Sequence, residues 1–170
     1  MTPQIQVLCE ALSKELLMHK LSMATAESCT GGLISASCTE LSGSSLWFDR
    51  GFVTYSNAAK TEMLGVAAHL IETHGAVSEE VAKAMALGAL QHSKASCSLA
   101  VTGIAGPTGG SEAKPVGMVW LAWAVRGGTQ SERAVHCKTA MRVFSGNRSD
   151  IRLATTELAL AHLRELLVKA

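Results

Sequence analysis

Three side chains in the segment 45–60 could do chemistry together: Ser45, Tyr55 and Lys60, with Gly43 and Ser44 just ahead of the serine. A serine hydroxyl attacks an acyl carbon only when a neighbouring base takes its proton, and a lysine serves once its surroundings lower its pKa. Amides in a Gly43-Ser44 turn could also line an oxyanion site. The segment therefore has the makings of a hydrolase centre. Each residue has an ordinary reading as well: Ser44 and Ser45 as turn or capping serines, Lys60 as a solvated helix residue, Tyr55 as a packing residue at a strand end.

Two glycine-rich stretches add binding chemistry. Thr30, Gly31 and Gly32 follow a short apolar run, where backbone amides at a helix start can approach an anion such as phosphate. The alternative is a plain strand-to-helix turn with Thr30 as the helix cap. Between 103 and 117 the chain carries Gly103, Gly106, Gly109, Gly110 and Gly117 with Pro107 and Pro115, too long and too glycine-rich for a simple connector. Lys114 within it is either a phosphate or carboxylate partner or a solvated lysine. Cys29, at the first of these turns, is a rival nucleophile because a helix N-terminus can lower a thiol pKa; the other reading is a small buried thiol.

The elements that must position these groups follow from periodicity. Ile5, Leu8, Leu12 and Leu16 mark an amphipathic first helix. Residues 22–27 read as a strand, and a helix follows the glycine turn to about Leu41. Residues 48–55 form the next strand, Ser56 caps a helix carrying Lys60, and Gly65 ends it. Ser78 with Glu79 and Glu80 opens a helix to about Lys94. Residues 97–102 read as a buried strand, 116–125 and 131–139 as a hairpin turning through 126–130, and the chain is helical from about Asn147 to its end. Alternating strands and helices closed by a hairpin imply an α/β protein, a three-layer α/β/α sandwich on a mixed sheet. Ligands in such folds gather at the carboxyl ends of the parallel strands, the edge to which both glycine turns and the Tyr55 to Lys60 segment are assigned.

Composition narrows the function. The 170 residues, 48% hydrophobic and 17% charged, suit one compact domain over 1–170. A net charge of +1 without a block of like charge favours neither nucleic acid nor a membrane surface. No apolar run reaches the roughly 20 residues of a membrane span, and the N-terminus is not patterned as a signal peptide. Five scattered cysteines without a CxxC pair argue against a disulfide framework or zinc and for a reducing cytoplasm. The six histidines are dispersed, so no metal is expected.

Longer motifs carry a resemblance. Thr25-Ala-Glu-Ser-Cys-Thr-Gly-Gly32, Gly43-Ser-Ser-Leu-Trp-Phe48, Gly51-Phe-Val-Thr-Tyr-Ser-Asn57 with Lys60, Gly75-Ala-Val-Ser78, Thr102-Gly-Ile-Ala-Gly-Pro-Thr-Gly-Gly110, Lys114-Pro-Val-Gly117 and Phe144-Ser-Gly-Asn-Arg148 resemble the CinA C-terminal domain family, the nicotinamide-nucleotide amidases. Asn147 stands where many relatives carry aspartate. The resemblance implies a five-stranded mixed sheet in the order 2-1-3-4-5 with strand 4 antiparallel. It implies hydrolysis of the carboxamide of nicotinamide mononucleotide to the nicotinate nucleotide and ammonia, in pyridine nucleotide salvage, without metal or organic cofactor. Ser45 is matched to the family's nucleophile, Lys60 to its base and Tyr55 to the assisting hydroxyl. The turn at Thr30 and the loop from Gly103 would hold the nucleotide, and Arg148 would add a phosphate contact. A stand-alone enzyme, assembled as a homo-oligomer with a dimer favoured, is expected. A non-catalytic nucleotide-binding module and an amidase for another carboxamide are the alternatives.

Overall fold

A computed structural model describes residues 1–127 and 134–168. In chain order the elements are α1 (Pro3–Met18), β1 (Met23–Glu27), α2 (Leu33–Thr39), β2 (Phe48–Val53), α3 (Asn57–Leu64), α4 (Ala68–His74), α5 (Glu79–Gln91), β3 (Cys97–Gly103), β4 (Met118–Arg126), β5 (Val135–Val143) and α6 (Arg148–Val168). A single 3-10 turn, Ser44–Leu46, precedes β2.

Local chemistry sets the boundaries. Thr2, Ser56 and Ser78 cap α1, α3 and α5, each hydroxyl accepting from the amide three residues on. Gly65 ends α3 at φ 68°, a left-handed cap that glycine adopts without strain. The sheet order is β2-β1-β3-β4-β5. β1 runs parallel to both neighbours, and β4 is antiparallel to β3 and β5. The expected mixed sheet and its antiparallel fourth strand are thus observed.

The two faces of the sheet are built differently. Leu99, Val101, Val119, Leu121 and Trp123 pack with Ile5, Leu12, Leu16, Leu160 and Leu163 of α1 and α6. The opposite face offers Ala24, Ala26, Ala100, Ala122 and Ala124, all small, to α5. Small strand residues let α5 settle close to the sheet, and the Ser98 hydroxyl donates to the Ala86 carbonyl of that helix at 2.7 Å. Gly88 of α5 lies so near the end of α3 that a Cβ there would strike the Leu64 carbonyl. This contact fixes the helix that carries Lys60.

Two expectations change. The start of α4 carries no sequence signal, since its cap position is Ala67 without a side-chain hydrogen bond, and periodicity over seven residues is too short to read; only Gly75 marks its end. The last strand runs Val135–Val143, not 131–139, because its pairing with β4 extends to Met118↔Val143. It is an edge strand with mostly exposed side chains, so burial imposes no alternation on its sequence. Residues 128–130 of the expected turn and 131–133 of the expected strand lie outside the described residues.

Candidate active site

The carboxyl ends of β1, β2 and β3 open on one cleft, of about 230 Å³, lined by Ser28, Cys29, Tyr55, Lys60, Thr102 and Gly103, with Asn57, Ala76, Val77, Ala105 and Arg148. Each parallel strand delivers one wall. β1 ends at Glu27, so Ser28 is the first residue of the turn beyond it; the Ser28 amide still donates to the Val101 carbonyl of β3 at 3.0 Å. β2 is extended by the Thr54 amide, which donates to the Glu27 carbonyl at 2.8 Å. α3 then brings Lys60 back beneath the turn.

Lys60 is the most informative side chain in the cleft. It is 1% exposed, and its Nζ lies 3.0 Å from the Ser28 hydroxyl and 2.9 Å from the Thr54 carbonyl. Burial lowers its pKa from that of a solvated lysine, with the Cys29 thiol opposing the shift as a nearby negative charge when ionised. A neutral amine beside a serine hydroxyl can accept its proton. The same burial pushes the Cys29 thiol up to about 12, which keeps it protonated at neutral pH and makes it a poor nucleophile.

The expected pairing of Ser45 with Lys60 does not form. Ser45 lies in the exposed 3-10 turn at the amino end of β2, where the Trp47 carbonyl accepts from the Met23 amide. Lys60 follows the carboxyl end of that strand, so six residues at about 3.3 Å each separate the two groups by roughly 20 Å. Gly43 and Ser44 share the wrong edge, and a Cβ on Gly43 would meet nothing within 4 Å. Ser28 replaces Ser45 as the hydroxyl beside the lysine.

The anion cradle at Thr30, Gly31 and Gly32 is corrected as well. The Glu27 carboxylate is fully buried and accepts from the Thr30 hydroxyl (2.7 Å), the amides of Gly32 (3.0 Å), Ile34 (3.0 Å) and Ser35 (2.8 Å), and the Ser35 hydroxyl (2.6 Å). The start of α2 already holds an anion of its own. Arg152 fastens the same turn from outside, Nε and Nη2 both donating to the Thr30 carbonyl at 3.2 and 2.6 Å. The glycines shape this turn, and the amides of Gly32, Ile34 and Ser35 are not free for phosphate.

Other expected residues divide. Tyr55 is 61% exposed at the cleft rim and accepts from Arg148 Nη2 at 2.9 Å; among the described residues it has no hydrogen bond to Ser28 or Lys60. Arg148 Nη1 donates to the Gly106 carbonyl at 2.9 Å, so one guanidinium ties the α6 start, the β2–α3 loop and the loop after β3 together across the mouth. Gly103 lines the cleft, packed so tightly on Met118 and Val119 that a Cβ would lie 2.7 Å from the Met118 carbonyl oxygen. Gly109 and Gly110 are exposed and outside the lining. Lys114 donates to the His74 and Val77 carbonyls at 2.9 and 2.8 Å, so its ammonium holds the loop behind Ala76 and Val77 in place. Thr102 supports the same wall, its hydroxyl donating to the Ala76 carbonyl at 2.8 Å. A roomier groove of about 380 Å³ between α3 and α4 is lined by Asn57, Thr61, Glu62, Ile71 and Glu72 and contains neither Ser28 nor Lys60.

Comparison with known proteins agrees with this architecture. The family model described as the CinA C-terminal domain matches residues 5–167. A nicotinamide-nucleotide amidohydrolase PncC from Pseudomonas putida is 47% identical over 162 residues, 95% of this chain and 96% of that protein. A CinA-like protein from Akkermansia muciniphila is 49% identical over 154 residues, 91% of this chain and 36% of its own length; the chain spans about a third of the CinA-like proteins it matches. The crystal structure of a competence/damage inducible protein from Agrobacterium tumefaciens superposes with a TM-score of 0.88 at 46% identity, covering 98% of this chain and 97% of the other.

Proposed function

The chain belongs to the CinA C-terminal domain family, and from that premise we propose that it hydrolyses the carboxamide of nicotinamide mononucleotide, giving nicotinate mononucleotide and ammonia. Relatives that match it over nearly their whole length carry the name nicotinamide-nucleotide amidohydrolase. The observation that carries the chemistry is the 3.0 Å contact between Lys60 Nζ and the Ser28 hydroxyl at the base of the cleft.

In the proposed reaction the neutral Lys60 amine takes the Ser28 proton as Oγ attacks the carboxamide carbon. The Cys29 and Thr30 amides, which follow Ser28 in the same turn and lie against the Cys29 sulfur, are the donors offered to the oxyanion. The Lys60 ammonium protonates the departing nitrogen, ammonia leaves, and an acyl-Ser28 ester remains. Water then adds with Lys60 again taking the proton, and collapse returns the serine and a carboxylate. Ala76, Val77 and Ala105 give the ring an apolar wall, and Arg148 at the mouth meets the phosphate.

The same reading carries a cytoplasmic setting, in keeping with five free cysteines, a single domain over 1–170 and a homodimer. No described helix is long and apolar enough to cross a membrane. The test is ammonia release from nicotinamide mononucleotide, its riboside and free nicotinamide. Turnover of the nucleotide, reduced at least 1000-fold in Ser28→Ala and unchanged in Ser45→Ala, is expected, about the scale of losing a nucleophile. No turnover by the parent protein, or full turnover by Ser28→Ala, refutes the proposal.

A further inference from the structure

Thr54 belongs to the motif that contains Tyr55 and Lys60, and its hydroxyl has no role in the reaction as written. Its side chain is fully buried, and among the described residues it has the one buried side-chain polar atom without a hydrogen-bond partner, Oγ1. Buried hydroxyls are seldom left unpaired, because each forfeits its hydration for nothing. Valine has nearly the same shape and would avoid that cost. The carbonyl of this same residue accepts from Lys60 Nζ at 2.9 Å.

The proton inventory of Lys60 supplies a reason. A lysine ammonium has three N–H donors. Two are accounted for, by the Thr54 carbonyl and the Ser28 oxygen. At 1% exposure, water does not freely serve the third. An unmet N–H costs far more on an ammonium than on a neutral amine, so the need arises whenever Lys60 is protonated with no substrate nitrogen beside it. We propose that Thr54 is a positioning residue whose hydroxyl, turned by one staggered step about χ1, accepts the third N–H of the protonated Lys60. The hydroxyl is a spare acceptor for the charged half of the cycle.

The neighbourhood leaves few competitors. The ionisable groups around Lys60 are Cys29, with Glu27 behind it, from the β1–α2 turn, and Tyr55 and Arg148 at the mouth. α5 turns Val81, Ala82, Met85, Ala86, Gly88, Ala89 and Leu90 inward, and α4 contributes Ile71, none of them ionisable. Glu27 is already saturated by five donors.

This inference rests on the serine-lysine reading but not on the substrate. Its test is the titration of Lys60 followed through the NMR shift of its labelled ε carbon, assigned with Lys60→Met, in the parent protein, Thr54→Val and Thr54→Ser. Loss of the acceptor should lower the Lys60 midpoint by about one pH unit, a tenfold loss of proton affinity, in Thr54→Val. Thr54→Ser should titrate like the parent. Above the Lys60 midpoint, thermal stability of Thr54→Val should equal or exceed the parent's, because a methyl there replaces an unpaired buried hydroxyl, and below it the variant should be the less stable. Coincident midpoints, an upward shift in Thr54→Val, or the same shift in Thr54→Ser would each overturn the proposal. Failure to hydrolyse the nucleotide with the Lys60 shift present removes the substrate reading alone.

Discussion

Replacing Glu27 with glutamine removes one charge and almost no volume, at the residue that holds the turn carrying Ser28. One carboxylate oxygen accepts from the Thr30 hydroxyl and the Gly32 and Ile34 amides, the other from the Ser35 amide and hydroxyl. A glutamine can present its oxygen to only one set. With that oxygen on the side of the three donors, its NH2 faces the Ser35 amide; the Ser35 hydroxyl can turn to accept, but the amide cannot. One stranded amide costs about 1–3 kcal/mol, and three bonds that lose charge assistance cost up to about 1 kcal/mol each. Because Ser35 is half-buried, we expect a net loss of about 3 kcal/mol, a large part of the 5–15 kcal/mol typical of a domain. Urea unfolding at neutral pH reads it directly. Displacing Ser28 by even a fraction of an ångström should also lower kcat at least tenfold. A loss below about 1 kcal/mol would show that the carboxylate does not organise the turn.

Further outcomes follow from the same geometry. Lys60→Met should abolish turnover while leaving the fold at least as stable at pH 7. The folded-state pKa of Lys60 is lowered by burial, so the unfolded chain binds that proton more tightly, and the parent's stability should climb between the lowered value and 10.5; calorimetry across pH should find this climb flattened in Lys60→Met. Parent activity should correspondingly fall as pH drops through the lowered pKa and the amine becomes protonated, and a flat profile into the acid range would contradict a lysine base. Arg148→Ala, which also frees the Gly106 carbonyl and Tyr55 hydroxyl, should raise KM for the nucleotide about 10-fold more than for the riboside, since a charge-assisted contact is worth about 1.5–3 kcal/mol; equal losses on both would remove Arg148 from phosphate recognition. Lys114→Met frees the His74 and Val77 carbonyls and loosens the wall at Ala76 and Val77, which should raise KM several-fold with kcat nearly kept, measured by steady-state kinetics.

Much of the fold was legible because burial and capping leave local marks. Ser56, Ser78 and Gly65 sit where the helices begin and end, and β1 and β3, covered on both faces, are nearly continuous runs of buried residues. The start of α4 and the register of β5 left no such marks, since one is short and without a side-chain cap and the other lies on an edge. Lys60 and Arg148 were legible as cleft residues. Motif spacing favours Ser45 over Ser28, although a rule of the fold separates them: a residue that follows a parallel strand stands at its carboxyl end, and one that precedes it stands at the other. Ser28 follows β1, Lys60 follows β2, and Ser45 precedes β2. Glu27 was invisible for a different reason. A carboxylate at the end of a strand ordinarily faces water, and only the assembled turn shows five donors converging on it.

The identity of the nucleophilic serine decides the mechanism. A fluorophosphonate probe reacts covalently with an activated serine, and mass mapping of the digested adduct names the residue without any assumption about substrate. Labelling of Ser28 that is lost in Lys60→Met, with Ser45 unmodified, is the result expected from the 3.0 Å contact between Ser28 and Lys60. An adduct on Ser45 or Cys29, or labelling of Ser28 that survives removal of Lys60, would contradict it.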